Sequence, residues 1–144
     1  MDGKKLQKFL ILDHTADVRL RASGESPAEL FKNAALGLFS LLSDYEKVRP
    51  CDSYSITASG TDLESLLVSF LSELIYQFEA RQLLFSEIEI RRLDEGAFLI
   101  EATARGEKYD PSRHVIRSYV KGVTYHGLKV EYEESWTAEI VLDV

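Results

Sequence analysis

Large apolar side chains recur at helical spacing along one stretch: Leu63, Leu66, Leu67, Phe70, Leu71, Leu74, Ile75 and Phe78. This stripe constrains the fold more than any other feature. Residues three and four apart share one helix face, so the stripe has to be buried against a second layer. At about 1.5–3 kcal/mol per large side chain withdrawn from water, this helix is expected to be the main anchor of the core. Thr61-Asp62-Leu63-Glu64 supplies a capping-box start. An earlier helix is predicted behind Ser26-Pro27-Ala28-Glu29, with Ser26 as N-cap, Pro27 pre-set for the first turn and Glu29 reaching back. Its stripe is Leu30, Phe31, Ala34, Leu38, Leu41 and Leu42, and Asp44 to Pro50 is a polar connection.

Elsewhere the pattern alternates with period two, the mark of half-buried strands. Phe9 to Leu12 is a short candidate. Val18, Leu20 and Ala22 share one face, with Asp17, Arg19 and Arg21 on the other. Tyr54, Ile56 and Ala58 alternate, as do Ile88 and Ile90 with Glu87, Glu89 and Arg91. Asp94-Glu95-Gly96 turns the chain into Phe98, Ile100, Ala102 and Ala104. After a loop at Asp110-Pro111, strands are predicted near Tyr119 to Tyr125, Leu128 to Tyr132 and Trp136 to Asp143, with a hairpin turn at His126-Gly127. Two main amphipathic helices among many strands predict an α+β fold on a mainly antiparallel sheet, a mixed sheet being the open alternative. Residues 1–144 are read as a single domain.

With 45% hydrophobic and 28% charged residues, the composition suits a soluble globular core. The net charge of −7 argues against unaided nucleic-acid binding, which needs clustered Lys and Arg. An acidic surface suits a metal ion or a basic protein. Cys51 is the only cysteine, which excludes an intrachain disulfide and a multi-thiolate zinc site. No stretch approaches the roughly 20 apolar residues of a membrane helix, and Met1-Asp2-Gly3-Lys4-Lys5 does not open a signal peptide. A soluble, intracellular protein is expected.

Few residues offer chemistry. Asp13, His14 and Asp17 lie at a strand start, where aspartates commonly cap turns. The alternative is that Asp17, on the polar face of its strand, offers a carboxylate to a metal. Asp143 and the terminal carboxylate of Val144 are neighbouring negative groups; two carboxylates about 4 Å apart repel by about 4 kcal/mol at a surface-like dielectric. A shared cation would reverse that, and all-oxygen ligation selects Ca²⁺, Mg²⁺ or Mn²⁺ over Zn²⁺. A frayed, solvated chain end is the plainer reading. His114 could form an acid–base pair with Asp110 across the Pro111 loop, and His126 could bond its own turn. Lys121 reads as an exposed strand charge. There is no glycine-flanked nucleophile, phosphate-cradling loop or Walker lysine.

The ordered motifs say more. Asp13-His14-Thr15-Ala16-Asp17-Val18-Arg19-Leu20 resembles the opening signature of the archease family. Glu29 to Ala35 resembles its Glu-Leu-Phe-x-Asn-Ala-Ala segment, and Asp62 to Leu67 its second helix. Gly106-Glu107, His114 and Val120-Lys121-Gly122-Val123-Thr124-Tyr125-His126 resemble its late motif, and Trp136 to Val144 its acidic finish. Gly122 stands where alanine is expected. The resemblance implies a cytoplasmic, non-catalytic activator of an RtcB-type RNA ligase in tRNA splicing. It promotes the ligase's guanylylation and multiple turnover. The resemblance also implies a bound divalent metal, Ca²⁺ in some members, held by Asp17, Asp143 and Val144, with Asp13 matched but not a ligand. An extension after Val144 is then expected to damage the site. Lys121 and His126 are candidate contacts to the partner or to phosphate. Two rivals remain: a metal-dependent hydrolase using Asp17 with His14 or His126, and a chaperone-like modulator of tRNA-modifying enzymes.

Overall fold

A computed structural model describes residues 8–14 and 17–144, with Asp13 and His14 described in backbone only. The chain runs β1 (Phe9–His14), β2 (Asp17–Gly24), α1 (Pro27–Leu42), β3 (Asp52–Ser59), α2 (Leu63–Arg81), β4 (Leu83–Asp94), β5 (Leu99–Lys108), β6 (Gly122–Tyr132) and β7 (Trp136–Asp143). The fold is α+β as expected, with the strands divided between two sheets. One has the order β1-β2-β7-β6 and the other β3-β5-β4, and every pairing is antiparallel.

The core is organised by α1, not by the helix whose stripe is strongest in the sequence. Eleven residues of the 16-residue α1 are buried, against nine of the 19 in α2. The reason is position: α1 packs on β2 of one sheet and β4 of the other, so both sides are covered. Its small residues make this possible, since a Cβ on Gly37 would stand 2.6 Å from Leu20 Cδ1. Large rings fill the rest, with Phe31 6.0 Å from Phe70 of α2 and Phe39 5.8 Å from Phe85 of β4. From its start beside Gly24, α1 runs back along β2 past Leu20. Its C-terminal end therefore comes level with the Asp17 end of that strand.

Both helix starts differ from expectation by one partner. Ser26 Oγ accepts the Glu29 N–H at 3.1 Å, but the Glu29 carboxylate reaches past the cap to the Glu25 N–H at 2.7 Å. In α2 the cap is Asp62, whose carboxylate accepts the Ser65 N–H at 2.7 Å while Ser65 Oγ accepts the Asp62 N–H at 3.1 Å. A serine thus plays the part read for Glu64, because the box begins one residue later. Ser26→Ala is expected to cost about 1 kcal/mol in urea denaturation with an unchanged slope.

No hairpin forms at His126-Gly127. β6 is one strand paired with β7 on both sides of a register slip between Thr124 and Lys129, and Gly127 sits there at φ 73°. A residue in the left-handed region inside a continuous strand makes a bulge, not a return. Tyr119 to Lys121, read as strand, precede β6 without a ladder of their own.

Candidate metal centre

β2 buries Val18, Leu20 and Ala22 completely, so Asp17 points to the opposite, exposed face. β7 repeats the logic with Ala138, Ile140 and Leu142 inside and Asp143 exposed. The register then decides the geometry: Asp17 lies directly opposite Asp143, one step beyond the fully buried pair Val18 and Leu142. Directly opposed residues share a face with Cβ atoms about 4.5–5.5 Å apart, and like charges so placed destabilise a sheet. Farther along the same face, Glu139 accepts from Arg21 at 2.6 Å and Arg19 at 3.4 Å, and the Arg21 bond above all lowers its pKa.

The end of β7 is held. Asp143 C=O accepts the Lys121 N–H at 2.7 Å, and the half-buried Val144 side chain packs against the core. Gly122 pairs with Asp143 from the other side, so Asp17, Asp143 and Gly122 form one row across three strands. Lys121 is exposed beside that row. Nothing lies within 4 Å of where a Cβ on Gly122 would stand, so the alanine expected there would fit.

Two opposed carboxylates at the fixed end of a sheet suit a hard divalent cation, with the carboxylate of Val144 as a third oxygen donor when that residue ends the chain. Among the described residues no three His, Cys, Asp or Glu side chains converge on a metal geometry. The donor set offered here has two such side chains. The side chains of Asp13 and His14, and Thr15 and Ala16, lie outside the described residues. His126 is exposed, donates its backbone N–H to Thr124 Oγ1 at 2.9 Å, and lies four residues beyond Gly122. At about 3.3 Å per residue it stands roughly 13 Å from the carboxylate row.

His114 does have an acid partner, but it is Glu107, not Asp110. Asp110 contributes its backbone N–H to His114 Nδ1 at 2.8 Å, while its carboxylate accepts from the N–H and hydroxyl of Ser112. With Nδ1 an acceptor, Nε2 carries the ring proton and donates it to Glu107 Oε2 at 2.9 Å. Glu107 also accepts the Arg49 N–H at 2.9 Å and a guanidinium bond from Arg113. Burial pushes this carboxyl up, but the Arg49 N–H, His114 and Arg113 outweigh it and hold its pKa at about 2. His114 is buried and stacked 6.1 Å from Tyr109, so the cluster locks the Tyr109–Lys121 connection in place. Arg49 and Arg113 carried no signal in the sequence, since each meets Glu107 only through the tertiary fold.

Fold and site together define a small α+β protein with a central helix between two antiparallel sheets and a paired carboxylate at one sheet end. The chain matches the Archease protein family (MTH1598/TM1083) over residues 9–144. Protein archease of Methanosarcina mazei is 40% identical over 141 residues, covering 96% of this chain and 97% of that one. Protein archease of Methanopyrus kandleri is 41% identical over 135 residues, covering 92% and 96%. The solution structure of Methanobacterium thermoautotrophicum protein 1598 matches with a TM-score of 0.83 at 31% identity, covering 95% of this chain and 99% of that one. The chain belongs to the archease family.

Proposed function

We propose that this protein is a non-catalytic activator of an RtcB-type RNA ligase, promoting guanylylation of the ligase and its repeated turnover. A divalent metal, Ca²⁺ first and Mg²⁺ or Mn²⁺ as alternatives, is held by Asp17, Asp143 and the carboxylate of Val144. The observation that carries this reading is the opposed pair Asp17 and Asp143, an arrangement that favours a shared cation, in a chain of the archease family. A cation bound there supplies positive charge that phosphate oxygens can share. Asp17 and Asp143 hold it at the sheet end, and Lys121 places an ammonium beside them for a phosphate or an acidic patch on the ligase. His126, farther along β6, contacts the partner rather than the metal. Cytoplasmic RNA processing is the setting, and among the described residues no helix is long and apolar enough to cross a membrane.

The test is ligase guanylylation with and without the protein, in chelator and across a panel of divalent ions. Stimulation that chelator removes and one ion restores is expected. Stimulation indifferent to chelator would take the metal out of the mechanism. No stimulation at all, with binding to tRNA-modifying enzymes instead, would move the function to the chaperone-like role.

A further inference from the structure

The connection from Arg113 to Lys121 alternates without belonging to a sheet. Arg113, Val115, Arg117, Tyr119 and Lys121 are exposed, whereas His114 and Val120 are buried and Ile116 and Ser118 are half-buried. Period-two alternation means an extended segment whose odd-numbered side chains stand in one outward row. The segment is pinned at three points: His114 in the Glu107 cluster, Arg117 N–H on Leu42 C=O at 2.8 Å, and Lys121 N–H on Asp143 C=O at 2.7 Å. The outward row is therefore rigid, and it ends beside the carboxylate pair.

Its chemistry is unusual for this chain. Val115 is 72% and Tyr119 67% exposed, and the Tyr119 ring leans on Phe78 with centroids 6.4 Å apart. Arg117 and Lys121 make no ion pair among the described residues. Asp44, Lys47 and Arg113 join Arg117 and Val115 around a recess of about 270 Å³ at the end of α1, where Lys47 faces Asp44 at 3.7 Å and Arg113 is held by Glu107. The recess is below the usual size of a small-molecule site, and it suits one protruding side chain. A protein of net charge −7 thus sets two cations without an ion pair among the described residues, Arg117 and Lys121, in one strip with a tyrosine and a bare valine.

We propose that this strip is a docking surface for an acidic, extended protein segment, whose carboxylates pair with Arg117 and Lys121 and whose apolar side chain covers Val115. Tyr and Arg are the residues that most often dominate protein interfaces. A polyanion needs clustered cations to hold its many phosphates, whereas this strip offers two on a protein of net charge −7, which favours a protein segment with few carboxylates over nucleic acid. The proposal rests on the ligase reading above, the segment being the ligase's.

Affinity for the ligase is measured for the wild type, Arg117→Glu, Tyr119→Ala and the control Lys129→Glu, which makes the same charge change outside the strip, on β6. Arg117 is held through its backbone, so its side chain is free to change, and melting temperature with metal-induced stabilisation verifies each fold. Arg117→Glu and Tyr119→Ala are expected to weaken binding by about tenfold or more, Lys129→Glu to leave it unchanged, and added salt to weaken the wild type. Equal binding by all three variants would overturn the strip while leaving the ligase reading intact. A wild type that does not bind the ligase would end both. A single-stranded oligoribonucleotide that binds the wild type and is lost with Arg117→Glu would reassign the strip to RNA and overturn the protein assignment.

Discussion

Glu107→Ala is expected to destabilise the protein by about 2–4 kcal/mol, because it strips the acceptor from donors at a nearly closed site. Three donors converge on this carboxylate: the Arg49 N–H, His114 Nε2 and Arg113. Alanine leaves the Arg49 N–H and the buried His114 Nε2–H without their acceptor, while the exposed Arg113 guanidinium turns to water. Glu107→Gln is not a rescue, because its amide nitrogen is a donor and must face at least one of the three. Urea midpoints should therefore fall for both variants, and proteolysis should open first in the Tyr109–Lys121 connection. The pH dependence has a defined sign. The folded pKa of about 2 lies below the ordinary 4.5, so the stabilisation is fully present above about pH 4.5 and is lost as pH falls toward 2. The wild type should lose roughly 2–3 kcal/mol across that window, with the shared hydrogen bonds discounting the full shift. Glu107→Gln should lack that component. A wild type and variant with parallel stability curves from pH 5 to 2.5 would show that Glu107 is not the responsible group.

The second large effect concerns the metal. If Asp17 and Asp143 share a cation, metal at a hundred times its dissociation constant should add about 2.7 kcal/mol of stability. For a chain of this size that is roughly 5–10 °C in melting temperature. Asp17→Asn and Asp143→Asn should each abolish the shift and, with it, stimulation of ligase guanylylation. Without metal the sign reverses: either substitution removes a like charge placed directly opposite another, so the metal-free protein should be as stable as the wild type or slightly more so. That reversal separates a ligand from a merely structural residue, whose loss would lower stability in both conditions. An undiminished shift in both variants would place the metal elsewhere.

Much of this was legible from period and caps. The 3.6-residue stripes located both helices, and the alternation of Val18, Leu20 and Ala22 already put Asp17 on the outward face. Trp136 to Asp143 was read with its bounds unchanged. The misreadings have local causes. Gly127 signals a turn in any sequence, and only the pairing of β7 across it makes it a bulge. Glu64 and Ser65 both suit a box position, and the cap at Asp62 chooses between them. Glu107 follows Gly106 in a strand whose alternation points it outward, and it is buried because the Arg113–His114 loop folds over it.

Taken alone, the amino-acid order determined that Asp17 and Asp143 each sit at a strand end facing away from the core, because periodicity is a property of neighbouring residues. It could not determine that they face one another, since that depends on the register of two strands more than a hundred residues apart. Only packing set that register: Val18 and Leu142 are both fully buried, and a slip of one residue would turn each of them to water. The same burial that fixes the core therefore brings the two carboxylates together.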